Sequence, residues 1–226
     1  MKPFDTYWRK WTLHCTAGEL LGIGAAGGIA FAVNQTLGEP VSLLEKGIVL
    51  GIMVLAGAIE GTLLGWFQWR VIKERVPLLP AREWIGWTVA IAMLGWLLGT
   101  LPSLFWIEVP AAQAAAPEIS PIVMVLGSIA MGLGLGALFG GFQWMALRKY
   151  VTGAGRWIVA NALGWGLGLG WIYLAASLPD ERTSFPIIIG LGIAGGLLAG
   201  LSVGAVTGVY LNALTAESKP TSRVAA

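Results

Sequence analysis

Six nearly uncharged apolar runs occupy most of this chain: about 16–37, 48–69, 85–106, 121–147, 157–178 and 186–214. A helix of about 20 apolar residues crosses the hydrocarbon core of a bilayer. A transmembrane strand is about 10 residues of alternating polarity, a pattern these runs lack. The expectation is an all-α integral membrane protein with six transmembrane helices. Only 12% of the 226 residues are charged and 56% are hydrophobic. A soluble domain carries about twice that share of charge.

The charges fall between the runs, and they take sides. Twelve of the 14 Lys and Arg sit before the first run, in the second and fourth connections, or after the sixth. Lys46 and Arg182 are the only two on the other side. Acids lean the opposite way, with Glu39, Glu45, Glu108, Glu118, Asp180 and Glu181 on the side poor in bases. The positive-inside rule places the basic side in the cytoplasm. An even number of spans then puts both termini there. The organisation expected is a cytoplasmic N-terminal segment (1–15), one six-helix domain (16–214) and a disordered cytoplasmic tail (215–226). The first apolar run is too long for a signal h-region, so it is expected to be retained. Trp8, Trp11, Trp66, Trp69, Trp84, Trp87, Trp144 and Trp157 gather near the basic boundary, as interfacial anchors do.

The chain also repeats itself. Gly61, Gly65, Gln68 and Trp69 are matched in spacing by Gly136, Gly140, Gln143 and Trp144. Basic residues follow each set. A degenerate third copy holds Gly204 and Gly208 before Leu211 and Asn212. In the odd-numbered runs, Trp11 precedes Gly18 and Gly22 as Trp157 precedes Gly164 and Gly168. Trp87 precedes Gly95 and Gly99 with one extra residue. Repetition on this scale means one supersecondary unit copied. It predicts three tandem hairpins (11–70, 84–148, 156–214) about a pseudo-threefold axis. Gly196, Gly200, Gly204 and Gly208 share one helix face, as do the paired glycines of runs two and four. Small residues let helix backbones approach closely in lipid, so the even-numbered helices are expected to be the tightly packed ones.

The repeated segments, with basic residues behind them, resemble multi-pass membrane proteins of bacteria, cyanobacterial ones in particular. The resemblance implies a bacterial inner or internal membrane and brings no activity with it.

Glu19 and Glu60 are the two carboxylates inside apolar runs. An ionisable group at membrane depth marks a functional site by default. Both lie roughly 12–15 Å beyond the basic edge at 1.5 Å per residue. Two close carboxylates there would share one proton. Taking Trp87 as the counterpart of Trp11, the copies of Glu19 are Trp96 and Trp165. Those of Glu60 are Leu135 and Val203. His14, one turn before Gly18, completes the polar set. Gln68 and Gln143, beside Trp69 and Trp144, are expected to hydrogen-bond across helices.

Other chemistry is poorly provided for. One Cys and one His give no metal cluster and no disulfide. Gly-x-Gly-x-x-Gly occurs at 22–27 and 190–195, but inside helical apolar runs, where it has no strand to follow and no phosphate to cradle. A net charge of +2 gives no reason to expect nucleic acid. Catalysis is therefore not expected. The first functional expectation is a non-catalytic accessory or scaffold subunit, packing against membrane-protein partners or copies of itself. The alternative is a small proton- or cation-coupled transporter or channel built on Glu19 and Glu60. No cofactor is named by the sequence; bound lipid is expected, and a pigment is a further candidate.

Overall fold

A computed structural model describes residues 5–106, 120–180 and 182–217, residues 216 and 217 by backbone alone. It contains α1 (Thr6–Leu37), α2 (Leu43–Ile72), α3 (Ala81–Phe105), α4 (Pro121–Leu147), α5 (Arg156–Ser177) and α6 (Phe185–Glu217), with no strand among the described residues. All six are long and apolar enough to cross a bilayer. The protein is an all-α integral membrane protein. Lys2, Glu108, Glu118, Glu181, Lys219, Arg223 and the tail beyond 217 lie outside the described residues.

Helix ends follow local chemistry. Asp5 caps α1 by accepting the Trp8 amide proton at 2.8 Å, so the helix starts ten residues before its apolar run. Ser42 and Glu45 form a reciprocal capping box on α2. Ser120 caps α4 with Pro121 at its first position. Gly38 ends α1 at φ 63°, where a Cβ would be strained.

The helices form a closed ring in chain order. Each packs on its two sequence neighbours, and α6 closes on α1. One buried cluster gathers the N-terminal turns of α1, α3 and α5 with the C-terminal turns of α2, α4 and α6. The helices therefore alternate in direction, and the Lys- and Arg-rich connections share one end, called the basic end below.

Glycine sets how tightly neighbours meet. On α2, a Cβ at Gly61 would lie 2.7 Å from Val89 Cα and 2.9 Å from the Thr88 carbonyl oxygen of α3. On α4, one at Gly140 would lie 2.8 Å from Ile158 Cα of α5, and Gly132 and Gly136 are tighter still. On α6, one at Gly204 would lie 2.9 Å from Thr12 Cα of α1. Each even-numbered helix thus lays its glycines on the odd-numbered helix that follows it in the ring.

This differs from packing by hairpin. The three expected hairpins are not the units of closest approach, and α3 with α4 makes the least intimate contact in the ring. The cause is a single position. Gly18 of α1 and Gly164 of α5 admit Leu64 and Val203, each Cβ site lying 3.0–3.1 Å from the neighbour's Cα. The corresponding place on α3, seven residues after Trp84, is the buried side chain of Ile91. A second departure is on α6. Gly200, Gly204 and Gly208 press on α1, but Gly196 is in loose contact and Gly192 faces open space. The two helices part towards the far end.

Replacing Gly61 or Gly136 by Ala forces backbone apart and should destabilise the protein by about 1–3 kcal/mol, as overpacking does. Gly51→Ala and Gly141→Ala, with nothing near their Cβ sites, should leave stability unchanged or slightly raised. Thermal unfolding of the four variants in mild detergent checks this; equal melting in all four would contradict it.

Candidate functional site: a polar plug beneath an acidic cavity

At the basic end the ring is closed by three tryptophans. Trp11, Trp84 and Trp157, evenly spaced along the chain, open α1, α3 and α5 and are fully buried. The Trp157 ring meets Trp11 and Trp84 edge-on, with centroids 5.8 and 5.9 Å away. Aromatic quadrupoles favour that geometry. These three rings are core and not the interfacial anchors expected of them. Trp84 and not Trp87 takes the place matching Trp11 and Trp157. Trp87 instead packs edge-on against Phe142. The Gly95 and Gly99 match therefore slips, and the residue corresponding to Glu19 on α3 is Ala92, not Trp96; on α5 it remains Trp165.

Amides and hydroxyls satisfy Trp11 and Trp157, while the buried Trp84 Nε1 has no partner among the described residues. Trp157 Nε1 donates to Gln143 Oε1 at 3.0 Å. Gln143 Nε2 donates to Gln68 Oε1 at 2.9 Å and to Thr88 Oγ1 at 3.0 Å. Gln68 Nε2 reaches Cys15 Sγ at 3.8 Å, and Trp11 Nε1 donates to Thr207 Oγ1 at 2.9 Å. One chain of hydrogen bonds thus joins α1, α2, α3, α4 and α5, while a separate bond ties α1 to α6. Trp69 and Trp144 sit at the rim of this layer. Trp69 Nε1 donates to the Leu79 carbonyl at 3.1 Å, and Lys73 and Arg148 lie over the Trp69 and Trp144 rings at 4.2 and 4.7 Å.

A charged clasp lies outside the plug. Arg75, from the α2–α3 connection, donates to Asp5 at 3.1 Å, to Asn212 at 2.5 Å and to Thr215 at 3.2 Å. Its guanidinium covers the Tyr7 ring at 3.7 Å. Asn212 also donates to Asp5 at 3.1 Å. The Trp8 amide, then Asn212 and Arg75, hold the Asp5 carboxyl below the usual carboxylate range. Ion pairs Lys10–Glu74 and Lys149–Glu83 add surface ties of the kind worth little individually.

Beyond the plug, on the side away from the basic end, the helices line an open cavity of about 410 Å³. Along α3 it runs from Ile91 to the exposed Ser103, about 18 Å at 1.5 Å per residue. It exists where Ile91 keeps α4 away from α3. Its walls are mostly apolar, and Glu19 of α1 and Glu60 of α2 both line it. Glu60 Oε2 accepts a 2.7 Å hydrogen bond from Trp96 Nε1. Trp96 reaches it by lying over Gly57, whose missing Cβ would sit 2.6 Å from Trp96 Cδ1. The Glu60 side chain passes Gly22, one turn along α1 from Glu19, with Cγ 2.9 Å from the Cβ site.

Glu19 is 1% exposed, and neither carboxylate oxygen has a hydrogen-bond partner among the described residues. Trp165 Nε1, which also lines the cavity, is buried without a partner, and so, outside the cavity, are Tyr7 Oη, Thr12 Oγ1 and Trp84 Nε1. Buried polar groups are nearly always satisfied. A donor and two acceptors left open around one cavity are the chemistry of a binding site.

Of the polar residues singled out from sequence, the structure brings Glu19 and Glu60 to one cavity and Gln68 and Gln143 to one hydrogen bond. His14 joins neither. Its Nδ1 contacts the Lys10 carbonyl at 2.8 Å and its ring meets Phe67 edge-on. Sequence reasoning missed Trp96 and Trp165 as site residues. The available signal was their depth, since both lie mid-run whereas Trp in a bilayer favours the boundary.

Gln143→Leu strands the Trp157 N–H and the Gln68 carbonyl, while the Thr88 hydroxyl keeps its bond to the Trp84 carbonyl at 2.9 Å. It should cost about 2–6 kcal/mol at roughly 1–3 kcal/mol per buried unsatisfied group, read as a lowered thermal midpoint in detergent. The clasp gives a pH signature. Because the folded Asp5 carboxyl is more acidic than its unfolded counterpart near pH 3.9, its stabilisation is complete above that value. It is lost as pH falls through the lower folded value. Asp5→Asn should flatten this acid limb in melting curves taken between about pH 6 and 3; an unchanged limb would remove Asp5 from the clasp.

No protein-family model matches the chain, and neither the curated proteins nor the solved structures contain a match to it.

Proposed function

We propose that this protein is a small proton- or cation-coupled membrane carrier whose solute site is the acidic cavity, with Glu19 and Glu60 as its charged groups. The observation that supports this most is Glu19, buried in the cavity wall with both oxygens unpartnered. An ionised carboxylate at membrane depth is expensive unless paired. No described residue donates a hydrogen bond to it or pairs with it, so its charge is met by a proton or by a cation entering the cavity. The hydrogen-bonded tryptophan plug gives the cavity a closed floor, as a carrier needs on one side of its site at a time.

By the positive-inside rule, the basic end lies in the cytoplasm with both termini, and the cavity extends towards the opposite face. Transport then requires the plug to part, and the loose α3/α4 contact offers a seam. The repeated Gly and Trp spacing supports descent from a copied unit, as internal repeats do in many transporters. Among the described residues no set of side chains is arranged for covalent catalysis, and the protein is proposed as a non-enzyme.

The accessory-subunit alternative draws on a separate feature. Where α6 leaves α1, a groove of about 510 Å³ opens between Gly24, Gly27, Gly28 and Phe31 on one side and Ile188 and Gly192 on the other. A partner helix packing by its own small residues fits such a groove.

Reconstituted in liposomes with an internal pH dye, the wild type should carry protons in response to a cation gradient. Glu19→Gln and Glu60→Gln should each lower the rate at least tenfold while melting like the wild type. Flux unaffected by both changes would dismiss the carrier and favour the accessory subunit.

A further inference from the structure

We infer that the ligand of this cavity is a monovalent organic cation with an apolar or aromatic body, its charge held at Glu19 and Glu60 and its body against Trp96, Trp165 and Phe139. The inference rests on the carrier proposal only in taking the cavity as a solute site.

Ligand class follows from the lining. The volume, about 410 Å³, falls in the range that takes drug-sized molecules. Apart from the two carboxylates, the polar side chains are the Trp96 and Trp165 indoles and the Thr100 and Ser103 hydroxyls towards the far end. A hard divalent cation takes six to eight oxygens or keeps its own waters. This floor offers four carboxylate oxygens, one already bonded to Trp96. Among the described residues no three metal-ligating side chains cluster. An anion is repelled by the same carboxylates. Sugars and peptides need many hydrogen-bond partners that these walls lack.

What remains is a positive charge that needs few directed bonds. Ring faces attract such a charge through their quadrupole, most strongly for Trp, and more so where water is excluded. Trp165 and Phe139 lie in contact, their centroids 5.2 Å apart at a tilt, and form one aromatic wall. Trp96 forms another while its N–H fixes the Glu60 carboxylate. Glu19 then supplies the unpaired negative charge.

Charge balance couples the cation to protons. With both carboxyl groups protonated the empty site is neutral. On binding, one O–H bond breaks, its proton leaves to water, and the carboxylate left behind pairs with the cation. One proton is released per cation, and no oxidant or co-reactant is needed. Among the described residues no other titratable side chain lines the cavity, and α6 meets Glu19 through Gly200. Cys15, one turn away, faces Gln68.

Two hydrophobic ions of the same size and opposite charge test this. Detergent-purified full-length protein is titrated calorimetrically with tetraphenylphosphonium and, separately, with tetraphenylborate, in two buffers of different ionisation enthalpy. Expected are saturable binding of one tetraphenylphosphonium per chain, release of about one proton, and no saturable binding of tetraphenylborate. Glu19→Gln should weaken the cation at least tenfold, and Trp165→Leu several-fold. Equal binding of both ions, or cation binding untouched by Glu19→Gln, would overturn the assignment. The charge comparison needs no variant, so a poorly folded mutant does not blunt the test. Proton flux that depends on the glutamates without tetraphenylphosphonium binding would refute the ligand class and leave the carrier standing. Glu19-dependent binding without flux would uphold the ligand class and refute the carrier.

Discussion

Close approach of helix backbones at glycine is the constraint on which the rest of this protein depends. In lipid, burying apolar side chains against one another gains little, because the solvent is itself apolar. Cohesion must come from dispersion at short range, which requires that side chains be absent. The glycines of α2, α4 and α6 provide that on α3, α5 and α1 respectively. They bring the ends of all six helices close enough for the three tryptophans and two glutamines to form one polar layer. Without that spacing, Gln143 could not reach Gln68, Thr88 and Trp157 together.

The cavity is the complement of the same rule. At Ile91, where α1 and α5 have glycine, α3 and α4 stand apart, and an open cavity with two carboxylates on its wall lies beside it. The two glutamates occupy sites that elsewhere in the ring hold Ala92, Trp165, Leu135 and Val203, so the acidic character belongs to α1 and α2 alone. Trp96 and Gly57 show how such a departure is accommodated: the ring needs the glycine to pass α2, and its N–H then satisfies Glu60.

The six helices and their number were legible because length and apolarity alone decide a membrane span. The sharing of a site by Glu19 and Glu60 was also legible from their equal depth. Ring order and the tight pairs were harder to read, since a row of glycines states that a face packs without naming the neighbour it packs on. Trp84 illustrates the limit more sharply. From sequence, the spacing to Gly95 and Gly99 points to Trp87 as the counterpart of Trp11, three residues along the same helix from Trp84. Only the meeting of Trp11, Trp84 and Trp157 in space decides between them, and the choice moves the counterpart of Glu19 by a full turn. Likewise, an interfacial ring and a core ring look alike in a sequence that places both next to basic residues.

The two polar layers differ in a way that bears on what each can do. In the plug, Gln143 bonds Gln68 and Thr88 and Trp157 donates to Gln143, leaving the Trp84 N–H open in that layer; a hydrogen-bond network so nearly complete rigidifies. In the cavity, Glu60 is half satisfied, while Glu19 and Trp165 are open. The equivalent positions on other helices hold Ala92, Leu135, Val203 and Trp165, so packing of the ring does not itself call for a carboxylate there. Under the carrier proposal, Glu19 is paired when the site is loaded, by a charge that enters the cavity from outside the chain.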